Sequence, residues 1–456
     1  MLEAIFDRFV QKTPITIMVR GLRERILSHE QMDSIFEKNA QSQYTRELLF
    51  SRLVDMMSLV VCGIYPSVNA AYRHKATELN VSRTAVYQKL SGIELAVSAA
   101  VLKETSAEMA TLIELMGGVP HPILSGYPIR IVDGNCLAPT DHRLKVLRPH
   151  AAAALPGKSL VVLDPDLRLA INVFPCLDGY TSERALFEQV LQTVKSGELW
   201  IADRNMCTQG FLFGLHQASA HFLVREHKTL PQKALTPLSE VGQVETGTVF
   251  EQRISITPRG EYLEKIRRVV LHLHKPTRDG ESEIAILTSL PTEVVSAVQV
   301  AELYRKRWTI ETLFHILEKN FAGEIPSLGH PKAALFCFCL ALVAYNILAV
   351  IRRTLGSVHG VGKIESSLSE FYLVDEIQGA YRGLMIAIEP VHWRGFEFLS
   401  LPQLSLLLLD LAGRVNLKSF LKQPRSQKQK KPDLIVDRRH NHVSTARLLM
   451  QAQQTP

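Results

Sequence analysis

The spacing of apolar and polar positions divides the chain into three regimes. Up to about residue 120 the period is helical. Residues 46–59 form an amphipathic pattern, and 95–116 are rich in Ala, Leu and Glu. Between them the pattern predicts a helix over 68–78, a turn at Leu79, Asn80 and Val81, and a second helix capped by Ser82. That second helix turns Arg83, Thr84, Tyr87, Gln88 and Lys89 outward. This is the plan of a helix-turn-helix, whose second helix enters a major groove. An ordinary helical hairpin fits the same pattern, and the turn lacks its common glycine.

From 121 to 226 the runs become short and β-branched. Residues 127–137 (YPIRIVDGNCL), 159–164 (SLVVLD) and, after a turn at Pro165 and Asp166, 168–174 (RLAINVF) predict an antiparallel meander. Ser182 opens a helix with Glu183 in its first turn and Leu186, Val190 and Val194 along it. Residues 198–202 (ELWIA) predict a short buried strand, 208–219 a helix, and 220–225 (AHFLVR) a last strand. The order is β-β-β-α-β-α-β. Residues 227–290 are β-rich, with 265–275 and 283–288 facing each other across a turn at Asp279 and Gly280.

The helical period then returns. Residues 301–320 (AELYRKRWTIETLFHILEKN) predict one amphipathic helix with Leu303, Ile310, Leu313, Phe314 and Leu317 on its apolar side. At about 100° per residue, Tyr304, Arg307, Glu311, His315 and Glu318 form one polar stripe. Residues 333–351 are apolar apart from Asn346, and Arg352 and Arg353 follow. By length this stretch spans a bilayer. Its place after a long polar region, with Pro331 at its start, predicts a buried core helix; a single-span anchor is the competing reading. The run LSLLLLDLAG within 395–415 predicts the last packed helix. From 418 to 439, Lys418, Lys422, Arg425, Lys428, Lys430, Lys431, Arg438 and Arg439 outnumber Asp433 and Asp437, a basic tail suited either to phosphates or to solubility alone.

Composition adds bounds. With 456 residues and 46% hydrophobic content, the chain can bury a sizeable core in two or three domains. Mean hydropathy is +0.05, and the formal charge of +7 with a pI near 9.0 suits a polyanionic partner. Cys62, Cys136, Cys176, Cys207, Cys337 and Cys339 include no CxxC pair, so they read as small buried hydrophobes in a reducing compartment. The opening MLEAIFDRFVQ lacks the plan of a signal peptide, which predicts a cytoplasmic protein. Gly157-Lys158-Ser159 is no phosphate loop, because Ala152 stands where the first glycine belongs. His440-Asn441-His442 is too isolated for a metal site.

The candidate chemistry lies in three carboxylates. Asp133 interrupts the first apolar strand, where an acid is costly unless paired or metal-bound. Gly134 after it allows close backbone approach. Asp203 ends the strand LWIAD. With the first and fourth strands as neighbours, their ends bring these two acids together, and Glu311, on a helix packed across the sheet, completes the group. Three carboxylates at one point repel and call for a cation. Oxygen ligands suit Mg2+ or Mn2+, and two such ions roughly 3.5–4 Å apart can drive phosphodiester displacement. Singly, Asp133 reads equally as a turn residue and Asp203 as a helix cap. Asp141 and Glu302 read as structural, and His315 as an ordinary surface or core histidine.

The segments IVDGN, ADRN and YRKRWTIETLFHILEK resemble the DDE-class transposases, specifically the bacterial group named after insertion sequence four, over roughly residues 125–350. The signature of that group is Tyr, two residues, Arg, three residues, Glu, six residues, Lys. Tyr304, Arg307 and Glu311 match it; the last position is Glu318, with Lys319 one step on. The resemblance implies an α/β, ribonuclease H-like mixed sheet flanked by helices with a β-rich insertion. On that reading, 1–120 is a helical DNA-binding domain, 121–415 the catalytic domain with its insertion at about 227–290, and 416–456 a basic tail. Asp133, Asp203 and Glu311 would be catalytic and would hold two Mg2+ ions, with Mn2+ able to substitute. Arg307 would contact a phosphate near the cut, Tyr304 would position the strand, and Lys319, Arg83 and Lys89 would add DNA contacts. The implied partners are double-stranded DNA, as terminal inverted repeats and target, and a second copy of the chain in a synaptic complex near the nucleoid, with no membrane. Glu318 keeps open a catalytically inactive DNA-binding derivative of such an enzyme.

Overall fold

The computed structural model describes residues 3–43, 47–117, 121–256, 263–277 and 280–423, with isolated positions 444, 445 and 450. Asp279 and the 424–443 stretch, which holds most of the basic tail and the His-Asn-His triplet, lie outside the described residues, as does Arg46.

Helices α1 (Asp7–Val10), α2 (Pro14–Ile26), α3 (His29–Asn39), α4 (Phe50–Val61), α5 (Val68–Leu79), α6 (Arg83–Gly92) and α7 (Leu95–Leu115) come first. The turn between α5 and α6 works without glycine because Asn80 takes the left-handed conformation itself, at φ 50°, where a short polar side chain is tolerated. Ser82 caps α6 by accepting from the Ala85 N–H.

Strands β1 (Ile129–Cys136), β2 (Lys158–Asp164) and β3 (Leu169–Cys176) form the predicted meander. A 3-10 turn over Glu183–Leu186 leads into α8 (Phe187–Leu191). This helix stops short of Val194, because the chain turns through Gly197 at φ 79° into the next strand. Then come β4 (Leu199–Ala202), α9 (Gln209–Gln217), β5 (His221–Arg225), β6 (Gln232–Ala234), β7 (Ser239–Val244), β8 (Gly247–Ile256), β9 (Leu263–Leu273) and β10 (Glu283–Thr288). One mixed sheet runs in the order β3-β2-β1-β4-β5-β10-β9-β8-β6, with β7 also paired to β8. β4 is parallel to both β1 and β5, and the remaining pairs are antiparallel. The β-rich insertion is therefore no separate body: its last strand, β10, pairs with β5 and prolongs the sheet.

The two faces of this sheet are read directly from the strand period. Ile129, Ile131, Leu199, Ile201 and Leu223 face one core, while Val132, Trp200, Ala202, Phe222 and Val224 face another. The second core is closed by α8 and α9 through Phe187, Val190, Phe211 and Leu215. The first is closed by α7 and by the long helix that follows the sheet. The N-terminal helices α2 to α7 pack into this same first core, so they share their interior with the sheet.

After the sheet come α10 (Ala297–Arg305), α11 (Trp308–Asn320), α12 (Pro331–His359), α13 (Val361–Ser367), α14 (Glu370–Ala387), α15 (Pro390–Glu397) and α16 (Leu401–Gly413). The single helix expected over 301–320 is thus two. At the joint, Lys306 and Arg307 donate to Leu303 and Tyr304, three residues back, so the backbone tightens into a 3-10 turn. Tyr304 is drawn inward, 8% exposed, instead of standing on a solvated stripe. Pro331 occupies the first turn of α12, where its missing N–H costs nothing. Among the described residues α12 is the one helix long and apolar enough to cross a membrane, and its apolar window is wholly buried in the protein. Asn346 explains its own presence there: its amide donates to the Ala170 carbonyl and accepts from the Ala170 N–H, both at 2.8 Å.

Candidate active site

The site forms where β1 and β4 end side by side. Their parallel register pairs Ile131 with Ile201 and Val132 with Ala202, so Asp133 and Asp203 are the next step on each strand. By strand alternation both share the face of Ile131 and Ile201, the face toward α12. Asp133 stays within the sheet, opposite Val161 of β2, and its Oδ1 accepts from the Gly134 N–H at 2.9 Å. Asp203 lies just beyond β4 and caps the short turn Arg204–Met206, accepting from the Asn205 N–H at 2.8 Å.

The third acid arrives on α11, which packs against β1. Arg307, at the joint between α10 and α11, is the link. Its Nη1 donates to Asp133 Oδ2 at 3.0 Å and its Nη2 donates to Glu311 Oε1. The guanidinium also lies 5.9 Å from the Tyr304 ring centroid. Burial works against its charge, yet Tyr304, Asp133 and Glu311 together hold its pKa above the ordinary value. Burial raises the Asp133 carboxyl to about 6; Arg307 opposes the rise, while Asp203 and Glu311 add to it by repulsion. Tyr304 is pushed up to about 12, chiefly by burial, so it stays a neutral hydroxyl.

Thus Asp133 feels the charge of both Asp203 and Glu311, with Arg307 set between Asp133 and Glu311. The three acids are not closed on one another: among the described residues no group of three or more His, Cys, Asp or Glu side chains is gathered tightly enough to hold a metal as it stands. The cation between Asp133 and Glu311 is the guanidinium itself. The donor set, all carboxylate oxygen around a positive group, has the chemistry a hard divalent ion requires.

Beside Glu311 opens a cleft of about 590 Å³, lined among others by Asn135, Phe314, His315, Glu318 and Glu324. Glu318 is on this cleft, 81% exposed and 3.9 Å from His315, whereas the exposed Lys319 does not line it. The helix-turn-helix candidates lie elsewhere, on α6. Arg83 is exposed and donates to Asn69 Oδ1 at 3.3 Å. Lys89 is a correction: expected to point outward, it lies half-buried with its ammonium 4.1 Å from the Phe36 ring centroid.

Sequence reasoning passed over one acid. Glu183 opens the 3-10 turn before α8, and its carboxylate lies against the Cα of Gly134. It accepts from Asn205 Nδ2 at 3.5 Å, and burial followed by repulsion from Asp203 raises its pKa. The glycine after Asp133 was the signal, since it marks a close approach without saying by what.

Residues 126–347, nearly half of the chain and the whole stretch from Asp133 to Glu311, match the family model described as "Transposase DDE domain". A curated relative, named "Putative transposase y4zB", from Sinorhizobium fredii (strain NBRC 101917 / NGR234), is 24% identical over 262 residues, covering 55% of this chain and 64% of that protein. The chain thus spans under two thirds of that relative's length. Among solved structures, a cryo-EM structure of the piggyBac transposase synaptic complex with hairpin DNA aligns over 81% of this chain and 86% of that one. Its identity is 12% and its TM-score 0.30, a likeness too loose to define a shared fold.

Proposed function

We propose that the chain is a DDE transposase of the insertion sequence four group, built on a ribonuclease H-like core, that cleaves DNA at element ends and joins them to target DNA. The observation that carries this reading is the convergence of Asp133 and Asp203, at the ends of adjacent parallel strands, with Glu311, tied to Asp133 through Arg307. All three fall inside the segment that matches the transposase DDE domain. Tyr304, Arg307 and Glu311 keep the spacing of the group's signature.

Asp133, Asp203 and Glu311 would hold two Mg2+ ions, with Mn2+ able to substitute. When bound, such ions supply Lewis-acid activation of the attacking water or 3′-hydroxyl and neutralise charge on the leaving oxygen. The chain's own groups do the rest. Arg307, released from the acids, presents a bidentate fork to a phosphate oxygen next to the cut. Tyr304, neutral and buried, packs behind the guanidinium and fixes where it can swing. The acids of the cleft keep phosphates out of every place except the one a cation neutralises. Arg83 on α6 reads as a contact to DNA farther from the cut, and two copies of the chain would hold two ends together.

The competing reading, a DNA-binding derivative without catalysis, rests on Glu318, a carboxylate on the cleft where the signature has a lysine. One experiment separates the two: Mg2+- or Mn2+-supported nicking of duplexes carrying the repeats that flank the coding region. Wild-type protein nicks them, while Asp133→Asn, Asp203→Asn and Glu311→Gln bind without nicking. Binding without nicking by the wild type would establish the derivative.

A further inference from the structure

We propose that the connection between β1 and β2 is a phosphate-binding loop that grips duplex DNA beside the acid site; the proposal rests on the DNA-cleaving reading above. The observation is a charge pattern. From Gly134 to Leu163 the chain holds one acid, Asp141, against Arg143, Lys145, Arg148 and Lys158. Antiparallel neighbours need only a few residues to join them, yet this connection runs from 137 to 157, and long ordered loops are commonly functional.

The loop is firmly seated. Thr140 and Ala154 form an antiparallel bridge at its base, and His142 Nε2 lies 3.0 Å from the Ala152 carbonyl. Asp141 donates its N–H to the Pro326 carbonyl at 2.8 Å, which ties the loop to the approach of α12. Among the described residues no hydrogen bond or ion pair joins 143–150 to another element; Arg148 Nη2 donates within the loop, to the Arg143 carbonyl at 3.5 Å. Arg143, Lys145, Arg148 and His150 are exposed, with Val146 73% exposed among them. Arg143 pairs with Asp141 at 3.0 Å in an open ion pair, both side chains about half exposed or more. Among the described residues Lys145 has no ion-pair partner. The side chains spend their exposure on cations, not on a contact the fold needs.

Position supplies the partner. β1 leads straight from Asp133 to this loop, and Asn135 and Ala138 both donate to Glu324 on the way, at 3.2 and 2.9 Å. Ala138 is five residue steps beyond Asp133, at most about 17 Å of extended chain. That is about five nucleotide steps along a strand. A site made of acids repels the phosphates it must act on, so the binding energy has to come from its flanks. This loop is the cationic flank on the β1 side.

The test uses the full chain in chelator, titrated with a labelled arbitrary-sequence duplex of about three helical turns across a range of salt. Each phosphate contact contributes about 0.9 to the slope of log affinity against log salt. Replacing all three cations (Arg143→Gln, Lys145→Gln, Arg148→Gln) should flatten that slope by about 2–3, with the unfolding midpoint unchanged. Arg143→Lys with Arg148→Lys should keep the wild-type slope, because a point charge still meets a phosphate. Lys145→Gln alone, at a position without an ion-pair partner among the described residues, should flatten it by about 1 and keeps the question open to test where the triple variant folds badly. A closed circular duplex locates the contact: loss on both substrates marks interior duplex, and loss on ended duplex only marks the flank of the cut end. A wild-type slope in both Lys145→Gln and the triple variant would overturn the loop while leaving the cleavage reading intact. A wild type that binds no duplex at any salt would remove both.

Discussion

Arg307 Nη1 lies 3.0 Å from Asp133 Oδ2, and the same guanidinium reaches Glu311 with its other terminal nitrogen. One positive group therefore already answers the repulsion between two of the three acids. On the proposed reading a divalent ion would compete with it for the same oxygens, and a DNA phosphate would compete with the acids for the guanidinium. DNA binding and metal loading would then be coupled through this one side chain. Arg307→Gln should tighten Mn2+ binding by the DNA-free chain about tenfold, since a nearby cation is removed, and should weaken cleavage because the phosphate contact is lost. Electron paramagnetic resonance titration of free Mn2+ reads the first effect. Weaker or equal Mn2+ affinity in the variant would show that Arg307 does not stand in the ion's place.

Asp133 gives a pH dependence that needs no metal. Its carboxyl is raised from 3.8 to about 6, first by burial and then by Asp203 and Glu311, against the pull of Arg307. Between those values the folded protein holds a proton that the unfolded chain has released. Stability therefore falls as pH rises from about 4 to about 6, by about 2–3 kcal/mol for a shift of this size. Asp133→Asn removes the titration. In chelator, the stability of this variant relative to wild type should increase across that window and level off above it. Denaturant midpoints at pH 4.5 and 7.5 measure this, and an unchanged difference would place the Asp133 proton outside the window.

What the sequence showed plainly were features with a short period or a fixed cost. The order of strands and helices from β1 to β5, the burial of α12 and the meeting of β1 with β4 all follow from alternation, length and flanking turns. An acid inside an apolar strand stood out because an unpaired charge there is expensive. Tertiary facts did not show. The break at Lys306 and Arg307 leaves no glycine or proline in the sequence; it follows from burying Tyr304 while Arg307 reaches Asp133. That β10 would join β5, making the insertion an extension of the sheet, depends on long-range pairing that no local pattern encodes. Lys89 looked like a solvent-facing cation because helical spacing says nothing of Phe36 coming from another helix to cover it.

Gly134 tests how the acid pocket is packed. A Cβ added there would collide with the Glu183 carboxylate. The obstacle is the end of a flexible side chain, so Gly134→Ala should fold with Glu183 pushed aside, at a cost of about 1–2 kcal/mol. Glu183→Ala clears the space first. In that background Gly134→Ala should cost almost nothing, a coupling that a double-mutant cycle of denaturant stabilities resolves. Additive costs would mean that the glycine is needed for its backbone, not for the room it leaves.

Asn346 is the polar residue that interrupts the most apolar stretch of the chain, and it has no solvent exposure. Its amide satisfies both the N–H and the carbonyl of Ala170 on β3. These groups face the open side of β3, which is the edge strand of the sheet, so no further strand pairs with them. Asn346→Leu would leave two buried backbone groups unpaired, each costing about 1–3 kcal/mol. Asn346→Asp would keep an acceptor but lose the donor and bring a charge into an apolar core, which costs more still. The expected order of denaturant stability is wild type, then Leu, then Asp, with Leu lower by about 2–5 kcal/mol. The same substitution weighs the two readings of the helix. A lipid-facing helix gains apolar character from Leu and is held at least as firmly in detergent micelles, whereas a helix whose amide clamps a β-strand loses stability in water. An Asn346→Leu protein as stable as wild type would mean that the α12–β3 contact does not depend on this amide.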